Sequence, residues 1–419
     1  MHEEPGEHHA PGRALVIGSG VVGLSCAWSL QERGASVCVV DRDRPGAGAS
    51  WQNAGLVSPT MSVPLPEPSI LRYGVRAVLS PRSPVALVRA VDLRLLRFMA
   101  TMVRSCTTDA WRKGMEAYRV LNEMALDAYA HQKAGGVEID LSRGDVVACF
   151  AHAHESAGFL REMGSVVAAG QAVELALLTG SDVRAREPHL SGNVEMAVEV
   201  RGQQYLTPSH YVHALAQSVR ERGGEILEGT PITAVERRHR VLVARGPHGE
   251  LDADAVVVAT GAWASDLLAD HGVRVPVYGG RGYSFTVASP KPFASPLYFL
   301  APRVAVTPQG DRVRFAGIME FGSPDAAPRR SRFADMASAV RPFLLDVDWS
   351  TMADQWMGPR PLAADGVPLV GATATPGLYV AGGHGMWGVT LGPLTGSLLA
   401  RQIMTGETPR ELLALDPLR

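Results

Sequence analysis

Ala14-Leu15-Val16-Ile17-Gly18-Ser19-Gly20-Val21-Val22-Gly23, closed by Val39-Val40-Asp41, decides how this chain folds. A short apolar run, a glycine turn, an amphipathic helix (Leu24, Ala27, Leu30), a second apolar run and a carboxylate follow one another. That succession is a strand–turn–helix–strand unit with the dinucleotide-binding fingerprint. Gly18 permits the tight turn, Gly20 lets a pyrophosphate approach the backbone, and Gly23 lets the helix pack on the sheet. The helix N-terminus offers free N–H groups and the positive end of its dipole to phosphates. Asp41 stands where a ribose hydroxyl would donate to it.

The pattern recurs further along the chain. Asp254-Ala255-Val256-Val257-Val258-Ala259-Thr260-Gly261-Ala262-Trp263 reads as a buried strand entering a small-residue turn. Leu378-Tyr379-Val380-Ala381 leads into a glycine-rich loop and a helix over 393–404. Between these lie a helical stretch at 92–135, strands and a helix within 137–200, and a helix at 207–222 opened by Thr207-Pro208. Strands are expected at 225–228, 232–236 and 241–244, antiparallel strands at 276–287, 297–307 and 312–319, and a helix at 331–345. The proline-rich stretch 61–91 reads as an extended connection. The sequence thus predicts an α/β fold in which one domain is discontinuous. A nucleotide-binding domain comprises 13–90, 205–275 and 358–419, and an α+β domain with an antiparallel sheet comprises 91–204 and 276–357. Residues 1–12 are expected to be a disordered tail.

Composition narrows the function. The chain has 419 residues, a net charge of −2 and an apolar fraction of 46 %. This balance gives no global attraction to nucleic acid. Its four cysteines, Cys26, Cys38, Cys106 and Cys149, form no CxxC pair, so a zinc site or disulfide framework is not expected, and a cytoplasmic compartment is. No metal-ligand set is expected. No apolar run reaches the roughly 18 residues of a membrane span. Leu95-Leu96-Arg97-Phe98-Met99 with Met102 and Val103 is expected to be a core-facing helix, with peripheral contact to the inner membrane face as the other reading.

Four separated motifs point the same way: the fingerprint with Asp41; Gly48-Ala49-Ser50-Trp51-Gln52-Asn53-Ala54-Gly55-Leu56; Val256 to Ala262; and Gly358-Pro359-Arg360-Pro361-Leu362 followed by Gly382-Gly383-His384-Gly385-Met386-Trp387-Gly388. In these the chain resembles the FAD-dependent D-amino-acid oxidase superfamily over about residues 13–405. Within it, the bacterial D-amino-acid dehydrogenases and glycine oxidases are most similar. The resemblance implies a Rossmann-type FAD-binding domain with an interleaved substrate domain. It places the pyrophosphate on Gly18, Gly20, Val21, Val22 and Gly23, and the ribose on Asp41 with Arg42 beside it. The flavin ring would run beside Ala49, Ser50, Asn53, Ala54, Gly55 and Leu56. The main chain of Val235 would meet the adenine, with Thr260 and Gly261 forming the second turn of the site. Gly358 and the run Gly383, His384, Gly385, Met386, Trp387, Gly388, Val389 and Thr390 would complete the cofactor contacts. The helix after that run would aim its N-terminus at the flavin N1–C2=O edge.

The resemblance gives Arg360 the substrate carboxylate, a task that suits a guanidinium fork, and gives Tyr298 a supporting role there. Arg281 and Tyr283 match a Lys-Gly-Tyr-Ser stretch of the dehydrogenases, and sheet structure accounts for them equally well. Met386 and Trp387 would line an apolar side-chain pocket. Relatives of the sarcosine-oxidase type bind FAD through a cysteine near this Gly-x-Arg-Pro motif. No cysteine follows Cys149 here, so noncovalent FAD is expected. The implied reaction is oxidation of an amino-acid C–N bond, a D-amino acid by resemblance, with O2 or a quinone as electron acceptor. Secondary amines of the sarcosine, proline or hydroxyproline type, 2-hydroxy acids, and a larger biosynthetic intermediate are the alternative substrates.

Overall fold

The computed structural model describes residues 10–68, 85–87 and 92–419. The expected tail therefore lies largely outside the described residues, as does most of the 61–91 connection. Gly12 already belongs to the fold, because its carbonyl accepts from the Ser36 amide at 2.9 Å.

Apolar runs buried on both faces build the first sheet. In spatial order it contains β10 (Glu225–Leu227), β2 (Ser36–Val40), β1 (Arg13–Ile17), β14 (Ala255–Val258) and β21 (Leu378–Gly382), all parallel. β20 (Leu369–Ala372) closes the edge antiparallel to β21. Leu15 pairs with Val256 and Val16 with Val257, so the first and middle apolar runs stand side by side. Such near-continuous hydrophobic strands suit a parallel sheet covered on both faces.

Helices α1 (Val21–Gln31) and α9 (Gly388–Thr405) cross closely against this sheet. A Cβ at Gly396 would lie 2.4 Å from the main chain of Ser25, so only glycine permits this approach. α3 (Thr108–Ala134) joins the same core through Tyr118, Leu121, Ala125 and Tyr129, and the Tyr129 hydroxyl donates to the Val389 carbonyl at 2.6 Å. The sequence reading grouped α3 with the substrate domain. The structure packs it on both domains: Trp111 and Met115 at its start meet Phe150, Phe159 and Met163 on the substrate side, while the later aliphatic and tyrosine stripe lies in the nucleotide-side core. α6 (Pro208–Glu221) packs there too, with the Trp28 indole donating to Ser218. Thr207 precedes it as expected, but its hydroxyl makes no capping bond.

The second sheet runs β19 (Asp348–Ala363), β15 (Val277–Ala288), β18 (Arg312–Phe321), β17 (Val304–Gln309), β16 (Leu297–Phe299), β6 (Val146–Phe150), β8 (Met196–Val200) and β7 (Leu175–Thr179). Its pairings are antiparallel except β16 with β6, and β4 (Val85–Leu87) adds a parallel pairing to β18. α8 (Ser331–Val340) and α5 (Ser181–Arg186) cover one face, where Phe333, Met336 and Val183 meet Tyr283, Phe285 and Phe315. α4 (Ser156–Ala168) packs Phe159 and Met163 on β6 and β8. The sequence reading placed a domain border at 358, which falls inside β19. That strand is continuous because β15 pairs along it from Val277 with Ala363 to Ala288 with Asp348.

Smaller pieces join the two sheets. β3 (Leu56–Val57), β5 (Ser142–Arg143) and β9 (Gln204–Tyr205) form one ribbon, and β11 (Ala234–Arg238), β12 (Val241–Gly246) and β13 (Gly249–Ala253) another. α7 (Ala264–Leu268) follows the β14 turn. α2 (Leu93–Ser105) is half of what its sequence suggested. Leu95, Phe98 and Met102 meet Tyr278, Met319, Phe321 and Leu362, whereas Leu93, Leu96 and Val103 are exposed. Among the described residues no helix is long and apolar enough to cross a membrane.

The α1–α9 crossing gives a direct test. Gly396→Val forces a side chain into the Ser25 backbone, and overpacking of this kind costs about 1–3 kcal/mol. The thermal unfolding midpoint should fall by several degrees; an unchanged midpoint would show that the crossing is not tight in solution.

Candidate active site

The site begins where β1 and β2 end. Gly18 has φ +110°, and a Cβ there would lie 2.5 Å from the Ala259 carbonyl oxygen. The turn thus presses against the end of β14, bringing the Thr260-Gly261 turn beside the fingerprint. A Cβ at Gly23 would strike the Gly18 carbonyl, so the helix starts in contact with its own turn. The Asp41 carboxylate accepts from the Ser19 amide (2.7 Å) and hydroxyl (2.6 Å) through one oxygen, and from the Asp43 amide (3.0 Å) through the other. α1 has no side-chain cap of its own. The Ser50 hydroxyl accepts from the Val21 amide at 3.0 Å instead, tying the Ala49–Leu56 loop to the helix N-terminus. The Arg42 guanidinium lies 3.9 Å over the Trp263 ring and pairs with Asp325 at 3.1 Å. The Val235 side chain is buried in the same apolar cluster as Val40.

The Ala49–Leu56 loop is held by its own amide side chain. Asn53 accepts from the Gly55 amide at 2.8 Å and donates to the Ala49 and Ser50 carbonyls. Gly55 takes φ +71°, and its carbonyl accepts from the Leu206 amide. The loop then meets the start of α9, where the Thr390 hydroxyl contacts the Leu56 carbonyl (3.4 Å) and accepts from the Ser58 amide (3.2 Å). Trp387 is the N-terminal flanking residue of α9 and makes no side-chain cap; its indole donates to the Val63 carbonyl at 2.8 Å. The first amides of α9, from Gly388 to Thr390, have no carbonyl within the helix to bond. Met386 is exposed at the loop tip.

His384 is buried, its Nε2 paired with the Thr395 hydroxyl at 2.9 Å. Burial holds it down to about 4, so the imidazole is neutral near pH 7. The loop is stitched to β19 by a bridge between Leu362 and His384 and by a 2.7 Å bond from the Gly385 amide to the Pro361 carbonyl. Gly358 lies earlier on the same strand, under the Trp356 ring.

Arg360, also on β19, reaches across β15 to β18. Its Nη1 donates to the Ile318 carbonyl at 2.6 Å, and Nη2 lies 3.5 Å from the Gly317 carbonyl. The guanidinium passes over Gly282, where a Cβ would come within 2.4 Å of its central carbon. The β15–β18 register shifts between Arg281 and Tyr283, opposite Ile318, which adopts φ +63°. A β-branched residue in that region is strained. The resulting bulge aims the Ile318 carbonyl at Arg360. No ion pair to a carboxylate holds Arg360 among the described residues; its bonds there go to main-chain carbonyls and the Met319 sulfur. Desolvation lowers it to about 10, with Tyr298 acting in the opposite direction, so it remains charged at neutral pH.

Arg281 and Tyr283 belong to the other face of the sheet. The buried Glu320 carboxylate accepts from the Tyr283 hydroxyl (2.7 Å) and Arg329 (2.9 Å), with Arg281 and Arg332 at 3.6 and 3.5 Å. They have a structural partner and stand away from Arg360. Sequence reading missed Gly282 and the Ile318 bulge. The run Gly279-Gly280-Arg281-Gly282 inside a strand was the available signal, since strand glycines mark close approach.

The residues suit a flavin dinucleotide by their own geometry. The glycine turn leaves no room for side chains, and Thr260 Oγ1, Ser58 Oγ and His384 Nδ1 are buried without hydrogen-bond partners. Comparison with known proteins gives the class. Residues 13–402 match the FAD dependent oxidoreductase (DAO) family, and the chain belongs to it. The chain is 29 % identical to a D-amino acid dehydrogenase of Rhizorhabdus wittichii over 95 % of its own length and 97 % of the relative's. It is 31 % identical to one from Methylobacterium nodulans, covering 95 % and 96 %. Among solved structures, glycine oxidase from Geobacillus kaustophilus superposes with a TM-score of 0.74 at 22 % identity, covering 98 % of this chain and 99 % of the other. The protein is therefore an FAD-dependent oxidoreductase, of the enzyme group that includes amino-acid dehydrogenases and oxidases.

Removing the carboxylate in Asp41→Ala leaves the Ser19 amide and hydroxyl without their acceptor. The dissociation constant for FAD, measured by titrating apoprotein, should rise about tenfold or more, as expected for a lost charge-assisted bond. Unchanged affinity would remove Asp41 from the cofactor site.

Proposed function

We propose that this enzyme oxidises the C–N bond of an amino acid, with D-amino acids as the principal class, using noncovalently held FAD. The observation that carries the proposal is the enclosed Arg360 guanidinium, bonded to main-chain carbonyls and joined to the α9 loop through the neighbouring Pro361. A charged fork in an enclosed site is costly unless it receives an anion, and a substrate carboxylate fits it in two parallel bonds. The D-amino acid dehydrogenase names of relatives near 30 % identity support the amino-acid class.

FAD, when bound, supplies a hydride acceptor at N5. The protein's part is orientation and charge placement. Arg360 holds the carboxylate, and Tyr298, close enough to perturb it, supports that end. The amine enters neutral, so its nitrogen lone pair forms the C=N bond as the Cα–H pair departs. Water then hydrolyses the imine to a 2-oxo acid and ammonia. His384 is neutral and buried, so no proton abstraction is assigned to it. The unpaired amides of α9 favour negative charge that develops at its N-terminus. Met386 and Trp387 line the way for an apolar side chain. Electrons leave to O2 or a quinone. The exposed Leu93, Leu96 and Val103 beside Arg94, Arg97 and Arg104 support peripheral membrane contact for the quinone route.

Anaerobic mixing with a panel of D- and L-amino acids should bleach the flavin, D-amino acids fastest; a flavin left oxidised by every amine offered would end this proposal. Arg360→Leu should lower kcat/KM by at least tenfold with FAD content intact, from the loss of a charge-assisted pair of about 1.5–3 kcal/mol. Gly282→Ala should raise KM similarly, since its methyl displaces the guanidinium. Wild-type kinetics in both variants would remove Arg360 from the substrate site. The four cysteines are all buried thiols, and burial pushes Cys26 up to about 12. Acid precipitation should accordingly release FAD into the supernatant, and flavin kept in the pellet would contradict noncovalent binding.

A further inference from the structure

The face of the second sheet that carries Gly282 also carries Ser284, Thr307 and Arg314, all buried. Two hydroxyls from this face bond the Ala49–Leu56 loop through its main chain. Ser284 donates to the Gln52 carbonyl at 2.6 Å, and Thr307 donates to the Ala54 carbonyl at 2.7 Å. Arg314 Nη1 donates to the Ser284 hydroxyl at 3.1 Å, and its Nε lies 3.3 Å from the Gln309 side-chain oxygen. A hydroxyl has one proton and two lone pairs. With Arg314 filling a lone pair, the Ser284 proton is committed to Gln52. Burial lowers Arg314 to about 10, with Asp354 acting in the opposite direction, and its hydrogen bonds go to the neutral Ser284 and Gln309 rather than to a carboxylate. Among the described residues no carboxylate lies within ion-pair distance of it. A buried guanidinium in that setting is an expensive way to hold a loop, where an apolar contact would stabilise the fold as well.

Position gives that cost a purpose. Ser284 stands two residues from Gly282 on β15, on the same face, so about 7 Å of strand separates the loop's anchor from the Arg360 guanidinium. The loop is internally rigid through Asn53. We infer that Ser284 and Thr307, with Ser284 oriented by Arg314, are positioning residues that fix the flavin-side loop relative to the carboxylate anchor and so set the hydride-transfer distance. The inference rests on the proposed function, in which this loop lies along the flavin and Arg360 holds the substrate.

The test uses the holoenzyme and the variants Ser284→Ala with Thr307→Val, Arg314→Met and Arg314→Lys. Anaerobic stopped-flow reduction separates the limiting reduction rate from substrate Kd, and visible circular dichroism reports the flavin environment without substrate. The double variant and Arg314→Met should retain FAD and alter the flavin dichroism. Their limiting rate should fall about tenfold to a hundredfold, as small misplacements do, with Kd within about twofold. Arg314→Lys should recover most of the rate. Wild-type rate and dichroism with only a lower melting temperature would overturn the inference, leaving these bonds as structural glue. So would a raised Kd at an unchanged limiting rate. If no amino acid reduces the wild-type flavin, the proposed function fails. The dichroism alone then decides whether the loop is pinned: altered in the variants it supports pinning, unchanged it refutes it.

Discussion

The hydrogen bond from the Gly385 amide to the Pro361 carbonyl is the joint on which the site depends. On one side of it stands Arg360, on a strand of the second sheet. On the other stands the loop that opens α9, tied through Thr390 to Leu56 at the end of the Ala49–Leu56 loop, whose Ser50 in turn holds the start of α1. The path from the fingerprint to Arg360 is thus a short series of main-chain and hydroxyl contacts between rigid elements. Sites supported this way keep their geometry better than sites on free loops. The bulge at Ile318 belongs to the same construction, since a strained residue persists where its surroundings over-determine it.

The charges on the two faces of the second sheet are arranged differently. On the α8 face, Glu320 is surrounded by Arg281, Arg329 and Arg332, with the Tyr283 hydroxyl completing the group. Removing that carboxylate would leave buried cations uncompensated, which is more damaging than the net worth of the pairs suggests. On the other face, Arg360 and Arg314 are bonded to neutral acceptors. The carboxylate on one face is enclosed by cations, whereas the guanidiniums on the other have no carboxylate within ion-pair distance among the described residues. This contrast separates Arg281 from Arg360, although both are arginines in glycine-rich strands.

What the sequence made legible follows the range of the signals. The turn from Gly18 to Gly23 is local, and each glycine answers to a steric demand within a few residues, so fingerprint and sheet were readable. Gly-Pro-Arg-Pro was readable as a motif, but its strand was not. The half of β19 from Asp348 to Met357 is polar and partly exposed, and its pairing with β15 depends on residues some 70 positions away. Ser284 and Thr307 look like ordinary polar positions of an alternating strand. Only the folded chain shows that they are buried against loop carbonyls. That α3 bridges the two cores was hidden for a related reason, because a helix's apolar stripe says that it is covered but not by what.

The crossing of α1 and α9 joins segments about 370 residues apart in the chain. Ser25 meets Gly396 only after nearly the whole polypeptide exists. During synthesis the N-terminal strand–helix unit therefore emerges with the Val21, Val22 and Ser25 face of α1 lacking its final cover. Contacts of such sequence separation are slow to form and leave apolar surface exposed in the interim. The helix that follows the glycine turn is thus covered last, by the segment of the chain synthesised nearly last, and the order of synthesis runs opposite to the order in which this core can be completed.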